Sequence, residues 1–289
     1  MKLYSDYDKF AWIYNKHWGD AFTSTAYKVL KRLALDRLPP KARILDLCCG
    51  TGQLAKALSL GGFDVKGIDG SPEMLRFARR NAPKCRFLLA DARNFEMKEP
   101  VDCIVSAFDS LNHIINIGEL KGVFEHTCRA LKPGSVFIFD LNMKEGFKGR
   151  WRGSFGIVED DHALVVRSGY SAKLRTGRMD ITMFFLRRPQ WTRSDLHLQE
   201  KAYHKAEVFS ALKVAGFTKT RACDSRNHLR LQEVGRSFFF AEKPYDPSYQ
   251  CIQPVRRGKL RIIRVTHLPP TQVPPGSNDC EFHLCQLMS

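Results

Sequence analysis

Three carboxylates and two glycines carry the clearest chemical signal in this sequence. Asp46 lies in Ile44-Leu45-Asp46-Leu47-Cys48-Cys49-Gly50-Thr51-Gly52-Gln53, an apolar run that breaks into a glycine turn. Asp69 closes a second apolar run, residues 63–69, and Asp91 a third, in Leu88-Leu89-Ala90-Asp91-Ala92. Gly50 and Gly52 let backbone N–H groups approach a ligand closely, and a helix start behind them favours an anionic group. An acid at the end of the second strand can accept both hydroxyls of a ribose. The stretch from Gly50 to Ala55 also fits the G-x-G-x-x-A dinucleotide fingerprint, with Asp69 near its expected spacing. Two features tilt the other way. Asp46 puts negative charge where a pyrophosphate would sit, and Asp91 is a third acid at a strand end. Acids closing three successive strands suit a ligand with a cationic amine or sulfonium, a ribose and an adenine, but no phosphate.

Further polar groups cluster in Ala107-Phe108-Asp109-Ser110-Leu111-Asn112-His113-Ile114. His113 is the candidate general base, because an imidazole titrates near neutrality; a structural histidine before an apolar run is the alternative. Ahead of the first strand, Tyr7, Phe10, Trp12, Tyr14 and Trp18 could fold over a ligand as a lid, with Tyr14 offering a phenol and the rings facing a cation. An amphipathic helix whose aromatics only pack would look the same.

These residues need elements to hold them. Helical stretches are expected over residues 4–18 and 26–38, the second ended by Pro39-Pro40. Strands then alternate with helices: strands at 42–48, 63–69, 86–89, 103–107 and 135–140, helices at 53–60, from 72 and over 118–131. Ser71 is the expected N-cap of the helix that Pro72 begins. This rhythm predicts a doubly wound α/β fold with a mostly parallel sheet. Residues 155–203 switch to alternating strands, 162–173 and 178–188, joined at Arg175-Thr176-Gly177: an antiparallel insertion spanning about 151–204. A helix over 205–215 and strands at 217–223 and 236–242 complete a seven-stranded sheet. Residues 245–289 hold six prolines and read as a flexible tail with one strand at 260–265. The domain is therefore expected at 1–244 and the tail at 245–289.

Composition narrows the class. At 289 residues and 44% apolar, the chain can bury a sizeable core. No apolar run approaches the roughly 18 residues of a membrane span, and the aromatic, charged start has no signal-peptide core. Nine cysteines without paired metal-ligand spacing suit reduced thiols in a cytoplasm; Cys251, Cys280 and Cys285 in the tail form no metal motif. The net charge of +16 is spread as +7, +2, +5 and +2 over residues 1–100, 101–200, 201–244 and 245–289. A solvated basic surface accounts for it, and nucleic acid is not the expected partner.

The blocks ILDLCCGTGQ (44–53), VKGIDGSPEML (65–75), FLLADARNF (87–95), DCIVSAFDSLNHI (102–114) and LKPGSVFIFDLN (131–142) resemble the class I S-adenosylmethionine-dependent methyltransferases, over about residues 4–244. Cys48 stands where that family's motif usually has its first glycine. The resemblance implies a Rossmann-like methyltransferase fold, with S-adenosylmethionine as cofactor and S-adenosylhomocysteine as product. It also implies a cofactor site from Asp46, Cys48, Gly50, Gly52, Asp69, Gly70, Met74, Asp91, Ala92 and Phe108. Asp46 and the glycines would shape the methionine end, Asp69 would hold the ribose, Asp91 with Ala92 would read the adenine edge, and Phe108 would line the methyl channel. Met74 would pack on the adenine or serve only the helix core.

His113 occupies a place similar to a histidine of some sugar N-methyltransferases. Asp109, Asp140 and Asn142 raise a metal question, but Leu141 interrupts the Asp-Asn pair that magnesium-dependent members carry, so no metal is expected. No Asn/Asp-Pro-Pro-Tyr/Phe, Pro-Cys or double-glutamate motif follows, which disfavours DNA and protein-arginine methylation. The expectation is a cytoplasmic enzyme, monomeric or homodimeric, that methylates nitrogen or oxygen of a small molecule. An RNA methyltransferase and a non-catalytic cofactor-binding module are the rival readings.

Overall fold

The computed structural model describes residues 6–187 and 189–248. The predicted tail strand at 260–265 and the three tail cysteines fall outside them. The chain divides into two units, Met1–Pro244 and Tyr245–Ser289. Of the second, only residues 245–248 are described, where the Ser248 N–H and hydroxyl both donate to Asp246.

The first unit is built on a seven-stranded sheet. In chain order its elements begin α1 (Ala11–His17), α2 (Thr23–Leu33), β1 (Arg43–Leu47), α3 (Gln53–Leu60), β2 (Asp64–Asp69), α4 (Pro72–Asn81), β3 (Arg86–Leu89), β4 (Val101–Ser106), α5 (Ile117–Ala130) and β5 (Leu131–Asn142). Then follow α6 (Lys144–Arg150), β6 (Gly153–Val158), β7 (His162–Ser171), β8 (Thr176–Arg187), β9 (Gln190–Lys201), α7 (Lys205–Val214), β10 (Thr218–Asp224) and β11 (Arg236–Glu242). The strand order is β10-β11-β5-β4-β1-β2-β3, with β11 antiparallel to both its neighbours and the rest parallel. This is the predicted doubly wound α/β architecture. Its apolar faces bury Leu45, Ile104, Phe124, Phe137, Phe139 and Phe239 on one side and Leu30, Ile44, Leu58, Val105 and Phe238 on the other. A fully buried Leu or Phe side chain stabilises by about 1.5–3 kcal/mol, so these two layers fix the sheet.

Local chemistry sets the element ends. Ser71 Oγ accepts the Met74 N–H at 3.1 Å and Pro72 opens α4, as its sequence predicts. The expected N-terminal helix is interrupted: a 3-10 turn, Asp6–Lys9, precedes α1, and Phe10 between them is buried. The helix predicted over 26–38 starts at Thr23 and ends at Leu33, where a 3-10 turn takes over. Helix α6 was not expected, because Gly146 and Gly149 depress helix propensity. Gly146 is required there: a side chain on it would meet the backbone of Gly235.

The insertion is a separate four-stranded antiparallel sheet, β6-β7-β8-β9. The sequence alternation resolved β7 and β8 individually, but not β6 and β9. The β7–β8 turn comes earlier than predicted, ending at Arg175 in the left-handed region (φ 52°), so that Thr176 and Gly177 already belong to β8. Leu164, Val166, Ile181, Met183, Leu196 and Leu198 form the sheet's inner face and bury Phe10 and Ile13 of the N-terminal segment. Two histidines join the same layers: His17 Nε2 and His162 Nε2 are 2.8 Å apart, and His162 Nδ1 donates to Asp161 at 2.6 Å.

Gly52 caps α3 at φ 85°, and a Cβ there would lie 2.9 Å from Ala78 of α4. Gly52→Ala is expected to destabilise the protein by about 2 kcal/mol or more, because backbone strain and a backbone clash act together. Urea unfolding of the two proteins measures it.

Candidate active site

The carboxyl ends of the parallel strands open into a cavity of about 370 Å³. Cys48, Gly50, Asp69, Gly70, Met74, Asp91, Ala92 and Phe108 line it, and so do Tyr14 and His113. A smaller adjoining hollow holds Asp46, together with Tyr14, Cys48, Gly50 and Phe108. Gly52 lines neither. Its glycine requirement comes from the packing of α3 on α4, and only indirectly shapes the turn.

The glycine turn is held by the acid opposite it. Asp69 Oδ2 accepts the Gly50 N–H at 2.8 Å, and Oδ1 accepts the Ser71 N–H at 2.9 Å. Burial pushes the Asp69 carboxyl up to about 6, against those backbone donors. Cys48 adopts φ 61°, which explains why glycine is usual at this point of the motif: the turn needs a left-handed residue. Met74 is buried but reaches the cavity wall, so its helix-core and ligand-facing readings coexist. At the far end, Arg93 Nε and Nη2 clamp Asp91 (2.9 and 2.6 Å), and Arg93 also reaches Glu119 at 3.3 Å. Burial pushes Asp91 up, but the Arg93 hydrogen bonds outweigh it and hold the carboxyl below its ordinary value.

Asp46 tests whether this site fits a ligand with a cationic end. Its Oδ2 is buried without a hydrogen-bond partner. An orphaned carboxylate oxygen beside a second acid is costly unless a cation completes it. The set therefore fits S-adenosylmethionine, whose cationic ammonium is a group that would complete Asp46.

Around the fourth strand's end, His113 Nδ1 lies 3.0 Å from the Gln199 carbonyl and Nε2 lies 2.9 Å from the Tyr7 hydroxyl. A carbonyl only accepts, so Nδ1 carries the proton and Nε2 keeps its lone pair. Burial holds His113 below its ordinary value, against Asp109, which favours that neutral form. Tyr14 packs edge-on to Phe108. Burial, reinforced by Asp109, keeps its phenol protonated, so it can donate a hydrogen bond but not act as a base.

The structure adds residues that the sequence did not single out. Arg236, at the start of β11, pairs with Asp140, Asp109 and Glu233 and lies over the Phe22 ring. Asp109, Asp140 and Asn142, read from the sequence as a metal question, are engaged by this network. Among the described residues no group of three or more His, Cys, Asp or Glu could hold a metal ion. Glu200, from the end of β9, comes within 3.5 Å of His113 Nε2. In the region of the insertion, Trp151 lines the cavity. Arg193 pairs with Asp195 on the exposed face, and Trp191 is half-exposed. Trp151 owes its place to the end of α6, whereas Trp191 and Arg193 share the outward-facing positions of β9.

Residues 44–134 match the family model described as "Methyltransferase domain". The chain is 28% identical over 188 residues, 64% of its length and 78% of the relative's, to dTDP-3-amino-3,4,6-trideoxy-alpha-D-glucopyranose N,N-dimethyltransferase of Streptomyces venezuelae. It is 32% identical over 149 residues, 47% of its length and 58% of the relative's, to trans-aconitate 2-methyltransferase of Enterobacter sp. (strain 638). Among solved structures, an S-adenosylmethionine-dependent methyltransferase from Clostridium acetobutylicum ATCC 824 matches with a TM-score of 0.66 and 25% identity, over 82% of this chain and 99% of that one. With these motifs on this sheet, residues 44–134 form a methyltransferase domain, and the chain has the Rossmann-like fold of S-adenosylmethionine-dependent methyltransferases. No helix among the described residues is long and apolar enough to cross a membrane.

Burial, with Asp69 adding to it, pushes the Asp46 carboxyl up to about 8. Between the ordinary value near 4 and that value, the folded protein binds more protons than the unfolded chain. The stabilising contribution is therefore full below about pH 4 and is lost as pH rises towards 8. In urea unfolding of the ligand-free protein, Asp46→Asn should remove the part of the decline lying between about pH 6 and 8, above the range of Asp69. An identical slope in wild type and variant would show that Asp46 is ionised and paired.

Proposed function

We propose that the protein transfers a methyl group from S-adenosylmethionine to a nitrogen or oxygen of a small molecule, with His113 as general base. The carrying observation is the His113 imidazole. Its Nδ1–H is tied to the Gln199 carbonyl, so its Nε2 lone pair faces the cavity, where it accepts the Tyr7 hydroxyl until a substrate proton takes that place. A cavity of about 370 Å³ suits a small ligand.

When bound, S-adenosylmethionine supplies an electrophilic methyl group on a sulfonium. The remaining work falls to the protein: alignment, exclusion of water, and removal of a proton if the nucleophile arrives protonated. Asp46, Asp69 and Asp91 hold the donor by its polar ends. Cys48, Gly50, Gly70, Met74, Ala92 and Phe108 supply the close-fitting walls, and Tyr14 donates from the side of the N-terminal helix. Phe10, Tyr7 and Trp18 line the cavity from the N-terminal segment and shield part of it from bulk water. The Streptomyces relative, whose name specifies an amino-sugar substrate, supports a small acceptor.

Calorimetry with S-adenosylmethionine should show binding to the wild type and at least a tenfold weaker affinity in Asp69→Ala, the loss of about 1.5–3 kcal/mol from hydrogen bonds to a charged group. Absence of binding by the wild type would end the assignment of the site. Once an acceptor is in hand, His113→Ala should lower kcat about 10²–10⁴-fold while leaving the cofactor affinity within a factor of two or so. An unchanged kcat removes His113 from the chemistry.

A further inference from the structure

The cavity's guanidinium groups are all committed. Arg93 is taken by Asp91 and Glu119. Each nitrogen of Arg236 faces a carboxylate, of Glu233, Asp140 or Asp109. Arg150 shares Glu233 at 3.1 Å and also bonds the Val234 carbonyl and the Asn142 side chain. Around the acceptor end, then, the carboxylates of Asp109, Asp140, Glu233 and Glu200 outnumber the cations Arg150 and Arg236. Glu200 has the least satisfying surroundings. It is 5% exposed, and His113 Nε2 and Asn142 Nδ2 stand at 3.5 Å, the outer limit of a hydrogen bond.

We propose that Glu200 selects the methyl acceptor: the site takes a protonated primary or secondary amine, whose ammonium Glu200 holds while His113 Nε2 removes one proton. This rests on the methyl-transfer reading above and narrows its acceptor to cationic nitrogen. Burial, reinforced by Asp109, pushes the Glu200 carboxyl well above its ordinary value. The carboxyl thus ionises readily only when a cation enters beside it, its own proton passing to solvent. An ammonium supplies that charge and shorter N–H donors than the Asn142 amide at 3.5 Å. A carboxylate acceptor would bring one more negative charge to an end where every lining guanidinium is already paired, at a cost in both repulsion and desolvation.

The step balances. An N–H bond of the ammonium breaks, its pair staying on nitrogen and its proton passing to His113 Nε2. That pair forms the bond to the methyl carbon as the carbon–sulfur bond breaks with its electrons remaining on sulfur. The methylated nitrogen carries the positive charge that the sulfonium loses, and the imidazolium returns its proton to solvent.

The test uses the full-length protein with methyl-labelled S-adenosylmethionine and a small-molecule cell extract, sorting labelled products by charge and by stability to alkali. Label in alkali-stable cations is the expected result. Label in alkali-labile esters or neutral ethers overturns the inference and leaves methyl transfer standing. No labelled product, from protein that binds S-adenosylmethionine in calorimetry, overturns the methyl-transfer reading itself and this inference with it.

For the labelled amine, Glu200→Gln should raise KM at least tenfold at unchanged affinity for S-adenosylmethionine. Glu200→Asp, which keeps the charge, should recover part of that loss. An unchanged KM in Glu200→Gln, or equal losses in both variants, removes Glu200 from acceptor selection.

Discussion

Asp140 sits inside the protein with both carboxylate oxygens engaged. Oδ1 accepts the Phe108 N–H at 2.7 Å, while Oδ2 accepts the Asp109 N–H at 3.0 Å and meets Arg236. Phe108 and Asp109 are both left-handed, at φ 65° and 50°, a conformation that non-glycine residues adopt only when their surroundings impose it. The two amides on one carboxylate are what impose it. Arg236 makes the arrangement affordable, since a lone buried carboxylate would be strongly destabilising. From this node follow the position of the Phe108 ring against Tyr14 and Phe22, the placing of Asp109 beside Asn142, and the start of the turn that carries His113.

The opposite wall depends on a different physics. The N-terminal segment and the antiparallel sheet are two amphipathic pieces that bury their apolar faces against each other, with Phe10 and Ile13 set into the Leu164–Leu198 face. Polar anchors then fix the register: His17 against His162, Asp8 on the Ser71 hydroxyl at 2.5 Å, and Tyr7 on His113. The roof thereby reaches both halves of the cavity, Tyr14 towards the glycine turn and Glu200 towards the base.

Much of the lower half was legible in the sequence. A parallel strand buried on both faces leaves an unbroken apolar run, and the turn after it must carry glycine or strain; residues 44–53 show both. Ser71-Pro72 names its own helix start. Cys48 is instructive, because the sequence shows only a departure from glycine, while φ 61° shows the conformation that glycine ordinarily serves. Gly52 reads in the sequence as part of a ligand loop, yet its neighbour is Ala78, a residue that no local pattern connects to it. Arg236 and Glu200 had no legible signal. One is a charged residue opening an apolar strand and the other a glutamate on an alternating strand, both ordinary in sequence.

The sequence by itself determined the class of this protein. Apolar period, glycine turn and strand-end acids are local in the chain, and each follows from the backbone or side-chain chemistry of a few consecutive residues. The tertiary structure decided what faces the acceptor. An alternating strand presents opposite faces according to a register that only its neighbours set, so whether Glu200, Trp191 or Arg193 turns inward is fixed by pairing β9 to β8. The balance of charge at that end is likewise a sum over side chains drawn from the turn after β4, from β5, α6 and β9, and from β11 with the loop before it, and it exists only once those elements have met.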